Sequence, residues 1–172
     1  DQFLLGVKMF GLGEDFGEMY AAPDYETLPM NTVGVVFTIP YDDTGFVHYP
    51  YNIFGVELTT FDDHLCQVGN LIADIKKKGY HIYLSIEPHY YDRDQWDVLN
   101  NYEMKGPPKL TSFNDPDMIT NFLADVHPYM TKLADMSERY KVDLAAPITE
   151  PGKYFGLDPI NDFMADAKED FS

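Results

Sequence analysis

Short apolar runs and longer amphipathic stretches alternate along this chain. Phe3 to Phe10 (FLLGVKMF) predicts a buried strand, followed by a glycine-rich turn, Gly11-Leu12-Gly13. An acidic stretch with helical character continues to about Leu28, interrupted by Pro23 and Pro29. Thr32 to Ile39 (TVGVVFTI) is apolar and β-branched, the composition of a central strand, and Pro40 ends it. Tyr41 to Thr59 reads as a long loop carrying His48, Tyr49, Pro50 and Tyr51. A helix follows with Thr60 as its cap and Asp63 completing a near capping box. Its apolar stripe is Phe61, Leu65, Val68, Leu71, Ile72 and Ile75. Lys76, Lys77 and Lys78 sit at the negative end of its dipole, and Gly79 is placed to close it in a left-handed conformation.

His81 to Glu87 (HIYLSIE) predicts a third strand, and His89 to Asn114 a loop. Asp115-Pro116 starts a long helix buried through Ile119, Phe122, Leu123, Val126, Met130, Leu133 and Met136, with a kink expected at Pro128. Val142 to Ile148 predicts a fourth strand, and Asp158 to Ser172 a last helix. This βαβαβαβα order predicts one α/β domain over residues 1–172, with parallel strands joined by crossover helices.

Strand alternation assigns the faces. In the third strand Ile82, Leu84, Ile86 and Pro88 share one side, which should meet the helices. Tyr83, Ser85, Glu87 and His89 share the other, which should point inward, towards a site at the carboxyl end. The first strand places Lys8 on that same inner side. Two expectations for Lys8 stand side by side: pairing with Glu87 or another inner carboxylate, or an exposed strand edge.

Charge narrows the partners. The 172 residues carry 29 acidic and 12 basic side chains, a net charge of −17 that disfavours nucleic acid and anionic membranes. No apolar run has the length of a membrane span. Arg93 and Arg139 are the only arginines, too few for a phosphate site built from several forked guanidiniums. A lone cysteine, Cys66, excludes an intramolecular disulfide and a multi-cysteine zinc site; near the apolar stripe, it is expected as a small core residue. An acidic, tyrosine-rich and cysteine-poor chain suits an extracellular or cell-surface setting. The sequence starts at Asp1 and is read as a processed protein or a fragment.

In parallel α/β folds chemistry sits at the carboxyl ends of the strands. There the pattern gathers Gly11 and Gly13, Tyr41 and Asp42, Glu87 and His89, and Thr149 and Glu150. Carboxylates with aromatic platforms are the equipment of glycoside hydrolysis, in which one group protonates the leaving oxygen and another attacks or stabilises the sugar cation.

Three segments then carry a family resemblance: PMNTVGVVFTIPY, IADIKKKGYHIYLSIEPHY and LADMSERYKVDLAAPITEP. In order and motif they resemble the first half of the four/seven superfamily (clan A) of retaining glycoside hydrolases. Those are (β/α)8 TIM barrels with catalytic glutamates at the ends of strands four and seven. The resemblance implies a TIM-barrel type fold of which this chain holds about the first four βα units. Where the family ends its fourth strand in Asn-Glu-Pro, this chain has Thr149-Glu150-Pro151. That match makes Glu150 the general acid/base and puts the nucleophile on a part not in this chain. A second chain or a further C-terminal half would complete the barrel. Substrate contacts are expected from Lys8, Tyr41, Glu87, His89, Trp96 and Thr149, although Thr149 stands where the family's asparagine meets the sugar 2-hydroxyl.

Other chemistries fare less well. The Gly11-Leu12-Gly13 turn is followed by Glu14 and Asp15, which would repel a pyrophosphate. Glu87, His89 and Asp92 have metal-ligand character but lack HExxH spacing, so no metal and no cofactor is expected. No nucleophile elbow supports a serine hydrolase. Trp96, Tyr90 and Tyr91 are sugar platforms or packing residues. His48, Tyr49 and Tyr51 line a cleft or only fold their loop. His64 and His127 are expected on helix surfaces or in packing. Three readings remain open: a glycosidase acting on a β-linked polysaccharide or oligosaccharide, a non-catalytic carbohydrate-binding or cell-surface protein of barrel descent, and an unrelated α/β enzyme in which Glu150 is structural.

Overall fold

The structure, a computed structural model, describes residues 6–9, 31–42, 44–53, 56–90, 116–148 and 158–171. The elements are strands β1 (Gly6–Met9), β2 (Thr32–Tyr41), β3 (Tyr51–Ile53) and β4 (Val56–Leu58), helix α1 (Phe61–Lys77), strand β5 (His81–Tyr90), helix α2 (Pro116–Arg139), strand β6 (Leu144–Ala146) and helix α3 (Asp158–Asp170). The expected acidic helix before Pro29 and most of the stretch from His89 to Asn114 lie outside the described residues.

Four strands form one parallel sheet in the order β1-β2-β5-β6. The order follows the chain, without the reversal that marks a doubly wound sheet. β2 pairs with β5 along its whole length, from Thr32↔His81 to Tyr41↔Tyr90. Val33, Val35, Phe37, Ile39 and Tyr41 of β2 share the main core with Ile82, Leu84 and Ile86 of β5. From α1 the core takes Phe61, Val68, Ile72 and Ile75, and from α2 the predicted stripe from Ile119 to Met136. The alternating set, Val36 and Thr38 on β2 with Tyr83, Ser85 and Glu87 on β5, lies on the opposite face of the sheet. Both crossover helices therefore cover one side, and the polar set expected from alternation lies on the other.

The α1 boundaries follow local chemistry. The Thr60 hydroxyl accepts from the Asp63 backbone N–H at 3.1 Å. Hydroxyls of Thr59 and Thr60 bond the Asp63 carboxyl and hold it below the usual carboxylate range. At the other end Gly79 has φ +88° and donates its N–H to the Lys76 carbonyl at 2.9 Å. The stripe buries His64 along with Phe61, Val68, Ile72 and Ile75, while Leu65 and Leu71 at its edges are only partly buried. Cys66 is a correction: it is exposed, with the amide of Asn70 at 3.8 Å from its sulfur, because its position on α1 falls outside the buried arc.

Helix α2 starts at Pro116 as predicted and runs on through Pro128. Pro128 is exposed, so water can serve the carbonyl that its missing N–H leaves without a helical partner. Ile160, Phe163 and Ala167 of α3 join the same core. Several expectations change. Pro40 does not end β2, which runs on to Tyr41, and β5 continues past Glu87 to Tyr90. The stretch Tyr41 to Thr59 holds the antiparallel β3–β4 hairpin, whose three-residue strands are too short for a periodic signal. The fourth strand is three residues, not seven. Asp143 leaves the ladder to bond β5, and Pro147 has no N–H to offer it.

Asp143 joins three elements at the amino-terminal end of the sheet. Its carboxylate accepts from the Ile82 N–H at 2.7 Å and from Lys76 Nζ at 2.8 Å, and it bonds His81 Nδ1 at 2.8 Å. Its own N–H donates to the Ile82 carbonyl at 3.1 Å. Partial burial works to raise its pKa; the bonds from Lys76, His81 and Ile82, with the Lys76 charge, outweigh it and hold the carboxyl at about 2. Asp143→Asn should cost about 1–2 kcal/mol at pH 7. The native bonds favour the ionised form, so the loss should be complete above about pH 4 and fade as pH falls towards 2. Urea melts of both proteins at pH 7 and pH 3 check this.

Candidate functional site

The carboxyl ends of β2 and β5 bring four inner-face positions together. Thr38 is the register partner of Glu87, and Pro40 that of His89. One step towards the amino end, Val36 pairs with Ser85, and Ser85 with Ala146 of β6. Ser85 is fully buried and Glu87 half-buried. Thr38 is 8% exposed, and its buried hydroxyl has no hydrogen-bond partner among the described residues.

The loop after β2 is fixed to both crossover helices. Asp42 Oδ1 accepts from the Thr44 N–H, the Thr44 hydroxyl and the Phe46 N–H, closing a tight turn. Gly45 has φ +90°, and a Cβ there would stand 2.2 Å from the Met118 carbonyl oxygen. Only glycine lets the loop pass so close to the start of α2. The Val47 N–H then donates to Asp125 Oδ2 at 2.8 Å, and the Asn121 amide donates to the Thr44 carbonyl at 3.0 Å. The His48 N–H donates to the Pro40 carbonyl at 2.9 Å, which holds His48, itself half-buried, beside the end of β2.

Tyr49 folds the loop down onto α1. Its hydroxyl hydrogen-bonds His64 Nδ1 at 3.0 Å, and its ring meets Phe61 edge-on at 6.3 Å. The His64 ring stacks on Phe37, with centroids 3.9 Å apart and planes 15° apart. Burial pushes the imidazole pKa down to about 3. His64 is therefore neutral in the folded protein, a packing residue that ties β2, α1 and the loop together. Of the two alternatives for Tyr49, loop folding is the one the contacts describe.

The expected site residues divide by location. Glu87 stands on the inner face beside Thr38. The Cα of Lys8 pairs with Gly34, four residues before the Thr38–Glu87 row, or about 13 Å along the strands. His89 lies on β5 opposite Pro40. The side chains of Lys8 and His89, and all of Trp96, Thr149 and Glu150, lie outside the described residues. Tyr41 takes the helix-facing side, fully buried, with its ring 5.1 Å from Phe122, and there offers no face to a cleft. His127 is half-exposed on α2, near Asp166 at 3.8 Å. Among the described residues, no group of three His, Cys, Asp or Glu is placed to hold a metal ion, and no helix is long and apolar enough to cross a membrane.

Sequence reasoning missed Thr38, Asp125 and Asn121. A threonine inside a β-branched strand reads as a strand former. Asp125 and Asn121 are neighbours on the face of α2, but their partners lie 78 and 77 residues away, beyond any local pattern.

No protein-family model matches this sequence, and no curated protein matches it. Among solved structures, the fold is similar to that of a GH113 β-1,4-mannanase, with a TM-score of 0.52 and 13% identity over 92% of this chain and 47% of that one. It is also similar to the GH113 β-mannanase AaManA from Alicyclobacillus acidocaldarius in complex with ManMIm, with a TM-score of 0.51 and 14% identity over 87% of this chain and 44% of that one. The chain spans less than half the length of these structures. The fold is thus a mixed α/β fold with a parallel sheet, similar to these TIM-barrel glycoside hydrolases.

Two predictions follow from the loop clamp. Gly45→Ala should cost more than about 2 kcal/mol, because it adds left-handed strain to a backbone collision. Gly79→Ala, where nothing lies within 4 Å of the added carbon, is the milder control in the same denaturation assay. His64 is protonated more readily in the unfolded chain, so its contribution is full above about pH 6.5 and is lost as pH falls towards 3, by up to about 1.4 kcal/mol per pH unit. His64→Leu should flatten the stability profile between pH 6.5 and 4. An unchanged slope would assign the acid sensitivity elsewhere.

Proposed function

We propose that this chain is the first half of a (β/α)8 glycoside hydrolase domain, with about four βα units, acting on a β-linked polysaccharide or oligosaccharide. The observation that carries this is the sheet: strands in chain order, both crossover helices on one side, and a polar inner face at the carboxyl ends. A parallel sheet covered on one face by helices leaves the other to be closed by further strands, as in a barrel. The similarity in fold to GH113 β-mannanases supports the same reading and favours a β-1,4-linked mannan as substrate class.

In this reading Glu150, four residues past the end of β6, is the general acid/base. It protonates the leaving glycosidic oxygen and then takes a proton from the attacking water. A glutamate on a further strand supplies the nucleophile, about 5 Å from Glu150. That strand comes from a C-terminal continuation or from a second chain. Glu87 stands on β5, next to the strand leading to Glu150, and is a binding residue. Lys8, His89, Trp96 and Thr149 complete the sugar contacts. An extracellular or cell-surface setting fits a polymeric substrate.

The intact mass of the protein from its source, measured against the 19.7 kDa of this chain, tells whether the missing strands are covalently attached. On that protein, Glu150→Gln should lower kcat/KM, which reports the acid-assisted first step, on β-1,4-mannan by about 10²–10⁴-fold. The loss should be smaller on an aryl glycoside whose leaving group needs no proton. Equal losses on both substrates would remove Glu150 from the acid role. A mechanism-based glycosyl label should not fall on Glu87; a label there would make it the nucleophile. Saccharide binding without hydrolysis by the intact wild type would favour the non-catalytic reading.

A further inference from the structure

The inner face of the β2–β5 ladder holds a polar residue that neither the fold nor the proposed catalytic step uses. Thr38 is buried to 92%, yet its hydroxyl meets no donor or acceptor among the described residues. Such groups are uncommon, since a buried hydroxyl gives up its water bonds and normally regains them from protein. Valine has the same shape and would fill this position of a β-branched strand without that loss. Its register partner on the same face is Glu87, half-buried and carrying acceptor oxygens. A parallel ladder brings the two backbones to about 4.8 Å. A hydroxyl donor and a carboxylate acceptor therefore stand side by side at the carboxyl end of the sheet.

One kind of ligand group answers both. An alcohol hydroxyl donates one hydrogen bond and accepts others. We propose that Thr38 and Glu87 form a two-point hydroxyl-binding pair, in which a single saccharide hydroxyl donates to the Glu87 carboxylate and accepts from the Thr38 hydroxyl. The inference rests on the carbohydrate reading of the inner face and adds a recognition residue to it. Thr38, whose hydroxyl has no partner among the described residues, thereby acquires one when the sugar is bound. An analogue lacking that hydroxyl would forgo the bond from the Thr38 hydroxyl, a stronger discrimination than contact area gives.

The test is calorimetric titration of the intact protein from its source, with whatever strands complete the sheet, against mannotriose and cellotriose, alongside thermal melts. Thr38→Val should bind about tenfold more weakly than wild type while melting no lower, and by removing a buried hydroxyl it should melt about 2–4 °C higher. Thr38→Ser keeps the donor and should bind within about threefold of wild type. Glu87→Gln should also weaken binding, and the double variant should lose little beyond the weaker single one, because both side chains hold one hydroxyl. Unchanged affinity in Thr38→Val, or additive losses in the double variant, would overturn the pair. A lower melting temperature for Thr38→Val but not for Thr38→Ser would give the hydroxyl a structural partner and also overturn it. Intact wild-type protein that binds neither trisaccharide would overturn the carbohydrate reading itself, a different result from binding that ignores Thr38.

Discussion

The parallel ladder between β2 and β5 sets the orientation of everything around it. Its register runs without a break from Thr32↔His81 to Tyr41↔Tyr90, and every residue of β2 is buried. Side chains in a ladder alternate with a period of two, so a slip of one residue would exchange the faces of the whole strand. A slip of β2 here would turn Phe37 and Ile39 away from α1 and α2 and push Thr38 into the apolar core. That penalty makes the register stiff. The polar inner positions are thus held in place by the hydrophobic requirements of the other face.

The ladder's two ends are secured by different means. At the amino end the fastening is ionic: Asp143 gathers Lys76 from α1, His81 and Ile82 from β5, and its own approach to β6. Position suits this, because conservative structural chemistry at that end leaves the other free for function. At the carboxyl end the fastenings are aromatic packing and backbone bonds. His64 lies flat on Phe37 and reaches Tyr49, while Asp125 and Asn121 hold the stretch from Thr44 to Val47. These contacts lie behind and beside the inner face and place no charged group on it. The loop is fixed from the side of the helices, next to the end of β2.

Much of this was legible in sequence where one residue type had one physical reason to be present. The capping of α1 by Thr60, its closure at Gly79, the start of α2 at Pro116 and the two faces of β5 all follow from local chemistry and periodicity. The misses have a common cause. Cys66 lies next to the apolar stripe in sequence but points away from the core. Tyr41 sits at a strand end, where chemistry is expected, but its parity puts the ring among the helices. The β3–β4 hairpin is too short to announce itself. The Tyr49–His64 and Val47–Asp125 bonds join residues that no local window contains together. Among the candidate site residues, Glu87 was placed correctly by alternation, whereas its neighbour Thr38 was hidden because threonine is also an ordinary strand former.

Thr38 brings the competing demands on β2 to one position. The strand needs β-branched residues for the ladder, and on the helix side it takes Val33, Val35 and Ile39. On the inner side it takes Val36 for the same reason, and then, one alternation later, exchanges a methyl for a hydroxyl. The exchange gives the strand no packing advantage, since threonine and valine occupy similar volumes, and it leaves a buried polar atom without a bond among the described residues. Proteins sustain that kind of local cost most readily where a ligand relieves it. The cost falls at the carboxyl end of the sheet, beside Glu87, and not at the amino end where Asp143 and its partners satisfy one another. This asymmetry separates the end of the sheet where polar groups satisfy one another from the end where Thr38 finds no partner among the described residues.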